Sequence, residues 1–214
     1  MPRTTAKGRG ITPLPLPSRS NTMRNEQYWK EYYKTHDRQE PSSFARWALP
    51  RVTGSAIVDM GCGDGRDTGY LIIAQPGYLH EMPVAGVQPV VPVLGVDPAI
   101  TKGPFTLNIT IQEFTKQYKA MEEKQSATLY MRWFLHAVKP RLWRPLLEVW
   151  EGQILVEARL QGDTSYGDSH PRYPIDTDEL FPLLDEWGYD VDHYEEGDFG
   201  EPTKPSLFRL DATR

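Results

Sequence analysis

The stretch Val58-Asp59-Met60-Gly61-Cys62-Gly63-Asp64-Gly65-Arg66-Asp67 decides the fold. Ala56 to Met60 is an apolar run broken only by Asp59, the pattern of a short buried strand. Three glycines at alternate positions follow it. Such a turn lets the backbone take positive φ and come close to a ligand. Arg66 to Ala74, with Tyr70, Leu71 and Ile73 apolar, then reads as a helix. A tight turn from a first strand into its helix is the ligand crevice of open α/β sheets, and the helix N-terminus there offers unpaired N–H groups. The spacing Gly61-x-Gly63-x-Gly65 departs from the dinucleotide pattern Gly-x-Gly-x-x-Gly. The phosphate-loop pattern Gly-x-x-x-x-Gly-Lys-Ser/Thr is absent.

Strands and helices alternate downstream of this turn. Val93 to Asp97 reads as a second strand, Phe105 to Ile111 as a third and Gln112 to Lys124 as a helix. Ala127 to Phe134 is a fourth strand. Pro140 to Trp150 is a helix with Leu142, Leu146, Leu147 and Trp150 on one face. Gln153 to Arg159 is a fifth strand. Asp176 caps a helix that runs to Trp187 and is stopped by Gly188. Asp190 to Glu195 and Ser206 to Ala212 close the chain as a β-pair. This order predicts an α/β fold: a Rossmann-like, mostly parallel seven-stranded sheet with an antiparallel last strand and helices on both faces.

The flanking segments divide the chain. Residues 1–22 hold Arg3, Lys7, Arg9 and Arg19 with no acid, and are rich in proline; they read as a flexible basic arm. Residues 23–50 read as an N-terminal helical lid. Tyr28, Trp29, Tyr32 and Tyr33 recur at helical spacing, and Phe44 and Trp47 open a second helix after Glu40-Pro41-Ser42-Ser43. The aromatic stripe fits core packing equally well. Residues 51–214 are the main domain, with a loop insertion at 75–92 marked by Pro76, Pro83, Pro89 and Pro92.

Composition excludes several classes. With 39% hydrophobic and 25% charged residues over 214 positions, the chain can build a sizeable core. No apolar run approaches the roughly 18 residues of a membrane span. No signal-like apolar stretch opens it, so a cytoplasmic, intracellular protein is expected. The single cysteine excludes an internal disulfide and a cysteine-rich zinc site, and no metal is expected. Residues 157–201 carry fourteen acids against Arg159 and Arg172, which opposes a nucleic-acid backbone. The basic arm with Arg132, Lys139, Arg141 and Arg144 keeps an RNA or DNA partner open as second choice.

The glycine stretch closely resembles the first motif of class I S-adenosylmethionine-dependent methyltransferases. Gly95-Val96-Asp97 looks like the acidic end of their second strand, and Leu129 to Val138 resembles their fourth-strand motif. The resemblance runs from about Asn21 to Arg214. It implies S-adenosylmethionine as cofactor. Gly61, Cys62, Gly63 and Gly65 would make room for its methionine part, with Asp59 organising the turn and the amino group. Asp97 would accept both ribose hydroxyls, as a carboxylate with two oxygens can. Gln112 or Glu113 would flank the adenine, and Trp133 and Phe134 would wall the cofactor or substrate. Asp97 follows Asp59 by 38 residues, a long gap for these enzymes that the insertion at 75–92 accounts for. Cys62 fits a small buried filler better than a nucleophile, since no basic residue stands beside it.

Methyl transfer to a hydroxyl needs in-line placement and removal of a proton, a usual task for histidine. His136 and His170 follow the fourth and fifth strands, at the edge where the ligand is expected. His136 also fits a buried structural role. Asp168-Ser169-His170-Pro171-Arg172-Tyr173 puts an acid, a base and a guanidinium in one loop, with Arg172 as a clamp for a polar or anionic acceptor; a solvated loop fits it as well. Glu40 to Phe44, Arg132 to Ala137 and His170 to Tyr173 resemble a methyltransferase subgroup associated with phage and polysaccharide-biosynthesis genes. That resemblance implies a small polar acceptor, a hydroxyl of a sugar-like molecule. Two alternatives stand beside it: an RNA or DNA methyltransferase, and a non-catalytic relative that binds cofactor or a partner.

Overall fold

A computed structural model describes residues 27–32, 40–75, 90–99, 105–124, 126–164 and 171–214. The arm at 1–22, residues 76–89 of the insertion, and His36, His80 and His170 lie outside the described residues.

The strands are β1 (Ile57–Met60), β2 (Val93–Val96), β3 (Thr106–Leu107), β4 (Thr128–Arg132), β5 (Ile154–Arg159), β6 (Asp190–Gly197) and β7 (Leu207–Thr213). They form one seven-stranded sheet in the order β3-β2-β1-β4-β5-β7-β6. The first five run parallel, and β7 inserts antiparallel between β5 and β6. The order reverses beside β1, so a crevice opens at the C-terminal ends of β1, β2 and β4. The helices are α1 (residues 27–32), α2 (Ser43–Ala48), α3 (Arg66–Ile73), α4 (Ile111–Lys119), α5 (Pro140–Leu147) and α6 (Thr177–Glu186). Among the described residues, no helix is long and apolar enough to cross a membrane.

Alternation along the strands splits the core in two. Val58, Met60, Leu129, Met131, Ile154 and Val156 pack on one face against Phe114, Trp143, Leu146, Leu180 and Leu184 from α4, α5 and α6. Ile57, Tyr130 and Leu155 face the other way, against Phe44, Ala45 and Ala48 of α2 and Leu71 of α3. The helices therefore cover both faces, as the sequence predicts. Truncating a fully buried leucine such as Leu146 removes ~2–5 kcal/mol from a packed core.

Two elements differ from the sequence reading. The third strand is only Thr106–Leu107, because Thr110 begins α4. The Thr110 side chain accepts from the Glu113 N–H while the Glu113 carboxylate accepts from the Thr110 N–H, a reciprocal cap that stops the strand short of Ile111. The fourth strand ends at Arg132 and not Phe134, because Trp133 takes φ 56° and turns the chain out of the ladder.

Candidate functional site

A cavity of about 310 Å³ occupies the crevice at the C-terminal ends of the strands. Asp59 to Cys62 lie at its floor, Asp97 to Ala99 and Ile109 to Gln112 along one side, and Tyr130 and Arg132 to Phe134 along the other. Tyr28, Trp29 and Tyr32 of α1 and Pro171, Arg172 and Tyr173 complete the lining.

The glycine turn is built by backbone geometry. Gly61, Gly63 and Gly65 take φ of 77°, 58° and 79°, and Gly65 is the left-handed N-cap of α3. The Gly61 N–H donates to Val96 O at 2.7 Å, which ties the turn to β2. A Cβ on Gly61 would stand 2.6 Å from the Phe134 ring, and one on Gly95 would stand 2.7 Å from Cys62 Sγ. Cys62 is buried in this packing. Burial first, and then the Asp59 and Asp97 carboxylates, push its thiol well above its ordinary range. That environment makes an inert filler.

Three carboxylates organise the floor. Asp59, 2% exposed, accepts from Thr68 Oγ1 at 2.6 Å. Burial dominates its titration and, with help from Asp67 and Asp97, pushes its pKa up to about 8 against the pull of Thr68 and Arg132. It is an acid set in low dielectric, where an incoming cation would stabilise its charge. Asp97 accepts from the Gly63 N–H at 3.2 Å and the Ala99 N–H at 2.7 Å, so it holds the end of β2 to the turn. Asp67 accepts from Ser42 N at 2.9 Å, Ser42 Oγ at 2.6 Å, Tyr130 Oη at 2.9 Å and Arg66 Nε at 3.0 Å. Burial works to raise its carboxyl, but Arg66, Ser42 and Arg132 together hold it below the usual range. Asp67 thus pins α2 and β4 to the start of α3.

A polar row crosses the same sheet face beyond Tyr130. Arg132 pairs with Glu157 at 3.3 Å and Glu201 at 2.8 Å, and Glu157 accepts from Arg209 at 2.9 Å. Cross-strand register explains the row, since Arg132 is opposite Glu157 and Glu157 opposite Arg209.

The structure gathers Asp59, Gly61, Cys62, Asp97, Gln112, Trp133, Phe134 and Arg172 around one cavity. Gly63 and Gly65 shape the turn without lining it, and the exposed Glu113 spends its carboxylate on the cap of α4. His136 is placed differently from the sequence expectation. Its ring is fully buried, is not part of the lining, and its Nδ1 accepts from the Arg159 N–H at 3.1 Å. Its carbonyl accepts from the Tyr173 N–H at 2.7 Å, and its Nε2 lies 3.4 Å from Arg172. This arrangement packs His136 behind the Arg172–Tyr173 segment, away from the cavity. His170 falls outside the described residues. Asp67, Tyr130 and Arg132 were missed as site residues. Their signals were an acid in the first turn of the helix and a lone charge ending the apolar run Thr128 to Met131. Among the described residues, no group of three side chains suits a metal ion.

No family model and no curated protein matches this sequence. Solved structures do share its fold. The 1,6-didemethyltoxoflavin-N1-methyltransferase of Burkholderia thailandensis, with bound 1,6-didemethyltoxoflavin and S-adenosylhomocysteine, superposes with a TM-score of 0.58 at 14% identity, covering 95% of this chain and 93% of that one. The glycopeptide N-methyltransferase MtfA gives 0.53 at 12% identity, over 81% and 96% of the two chains. The 4+2 cyclase SpnF gives 0.54 at 11% identity, over 90% and 94%. The chain has the fold of the class I S-adenosylmethionine-dependent methyltransferases. That fold also carries a cyclase, so the side chains of the site, and not the fold alone, set the activity.

Proposed function

We propose that this chain is an S-adenosylmethionine-dependent methyltransferase that methylates an oxygen of a small polar acceptor. One observation carries the reading: Asp59 and Asp97, at the ends of adjacent parallel strands, meet the positive-φ glycine turn at one cavity. The residues suit the cofactor. Asp97 offers carboxylate oxygens to a ribose diol, the Gly61–Cys62 backbone leaves room a side chain would fill, and Asp59 is a buried acid suited to a nearby cation. Ala99, Ile111 and Gln112 would flank the adenine. The bound cofactor would supply a methyl group on a positively charged sulfur, already activated for displacement.

The chain's own residues then orient and exclude water. Trp133 and Phe134 form a wall beside the turn, and α1 lays Tyr28, Trp29 and Tyr32 over the cavity, which supports reading 23–50 as a lid. Arg172 serves as the acceptor clamp, and His170 keeps its expected part in removing the acceptor proton. A cytoplasmic location goes with this reading. A sugar-like hydroxyl, favoured by the resemblance to the phage and polysaccharide subgroup, is one such acceptor. RNA or DNA takes second place, because the acid-rich segment 157–201 repels phosphate.

Calorimetric titration with S-adenosylmethionine and S-adenosylhomocysteine, with NAD and ATP as controls, tests the reading. Micromolar binding of the first two alone is expected. Absence of both leaves a non-catalytic relative in its place, and salt-sensitive RNA or DNA binding shifts the acceptor to nucleic acid.

A further inference from the structure

We infer that the acceptor is a flat aromatic molecule carrying an anionic substituent, a hydroxyaryl acid, with its ring against the α1 aromatics and its anion at Arg172. This rests on the methyl-transfer reading and narrows its acceptor.

The first support is the wall. Tyr28 and Trp29 meet edge to face at 5.2 Å, Tyr28 stacks on Tyr32 at 6.2 Å, and Trp29 meets Tyr32 edge to face at 5.5 Å. The three rings hold one another and line the cavity. Trp133, Phe134 and Tyr173 line it as well. Trp133 is fixed before any ligand arrives. Its φ of 56° is unusual for a bulky residue, and its backbone N–H donates to Glu157 O at 2.7 Å. The Arg132 guanidinium lies 4.2 Å from its ring centroid, and that of Arg159 lies 5.4 Å away. Rings already held in place offer flat apolar faces to a ligand at small entropic cost.

The second support is how the polar groups are spent. A sugar ring presents hydroxyls all round, and each needs a hydrogen-bonding partner when buried. Here both oxygens of Asp67 are taken by Ser42, Tyr130 and Arg66. Arg132 is held between Glu157 and Glu201. Gln112 is the only amide among the described lining residues, and it lies on the side assigned to the adenine. Arg172 and Lys139 line the same cavity as these rings. Aromatic faces with cations select a flat anion.

The chemistry balances. The methyl carbon–sulfur bond breaks with its electron pair left on sulfur, the new bond forms to the phenolic oxygen, and the phenolic proton ends in solvent by way of the base named above. A phenol ionises near pH 10, as tyrosine does at about that value, and nearby cations bring it lower.

The test is calorimetry on the full chain saturated with S-adenosylhomocysteine, using 4-hydroxybenzoate, 4-methylphenol and glucose as probes. The expected order is 4-hydroxybenzoate at least tenfold tighter than either of the others. Trp29→Leu and Arg172→Met should each lower 4-hydroxybenzoate affinity at least tenfold more than they lower that for S-adenosylhomocysteine. Trp29→Tyr should restore most of the Trp29→Leu loss. Glucose binding as tightly, or 4-hydroxybenzoate affinity indifferent to both variants, overturns the inference and leaves the methyl-transfer reading intact. Failure of S-adenosylhomocysteine itself to bind overturns both.

Discussion

Thr68, in the first turn of α3, donates its hydroxyl to the Asp59 carboxylate at the end of β1, 2.6 Å away. This bond lowers the acid, but burial raises it more, so the folded pKa stands at about 8 against an ordinary 3.8. The folded state therefore binds a proton that the unfolded chain has lost between these values. Stability from this group is full below pH 3.8 and is lost as pH rises through about 8. The slope inside that window is up to ~1.4 kcal/mol per pH unit. Asp59→Asn removes the titration while keeping an acceptor for Thr68. Unfolding midpoints at pH 5 and pH 8 should fall less for the variant than for the native chain. Parallel profiles for the two would show that Asp59 ionises normally in the fold.

Two glycines six and fourteen residues after Ser55 predict opposite effects of the same substitution. Gly61 has φ 77°, and a Cβ there would stand 2.6 Å from the Phe134 ring. Gly61→Ala should destabilise by ~1–3 kcal/mol and weaken binding of S-adenosylhomocysteine. Gly69 lies inside α3 with nothing within 4 Å of a Cβ. Gly69→Ala should stabilise by ~0.5–1 kcal/mol through the lower entropy of the unfolded chain. Thermal melts of the pair decide it: the idea of a conformationally fixed turn fails if Gly61→Ala melts at the native temperature.

Asp97 already organises the crevice through the Gly63 and Ala99 N–H groups. Asp97→Ala removes these acceptors together with the oxygens proposed for the ribose. A charged hydrogen bond contributes ~1.5–3 kcal/mol, so affinity for S-adenosylhomocysteine should drop on the order of 10- to 100-fold per bond lost. Asp97→Asn, which keeps one acceptor oxygen, should lose less. Unchanged affinity in the alanine variant would separate the end of β2 from the cofactor site.

What could be read in the sequence was local, and what could not be read was long-range. The glycine turn, the strand-end Asp97 and the cap Asp176 each sit within a few residues of the geometry they specify. The Thr110-x-x-Glu113 cap was equally local and readable; the apolar run around it masked it as strand. His136 depends on partners that spacing does not reveal. The Arg159 N–H that occupies its Nδ1 comes from β5, and the Tyr173 N–H on its carbonyl comes from the returning loop. The left-handed turn at Trp133 is likewise set by neighbours, with Glu157 O and Arg132 holding a conformation its own side chain disfavours.

The row Arg132–Glu157–Arg209 gives the last prediction. Glu157 has no solvent exposure, lies 3.3 Å from Arg132 Nε and accepts from Arg209 Nε at 2.9 Å. Burial raises its carboxyl even against the pull of both guanidinium groups. Such a row costs desolvation when it is built, and it costs more when one member is lost, because the rest stay buried without compensation. Glu157→Gln should destabilise by ~3–5 kcal/mol. It should also loosen Trp133, whose ring lies against the Arg132 guanidinium at 4.2 Å. The double variant Glu157→Met with Arg209→Met removes a pair of opposite charges and keeps Arg132 with Glu201. It should therefore be more stable than Glu157→Gln alone, although it carries two changes. Denaturant unfolding of the native chain, Glu157→Gln, the Glu157→Met and Arg209→Met single variants and the double variant checks the order. If the double variant loses the sum of the two single effects, the row is a set of independent contacts and the coupling argument is wrong.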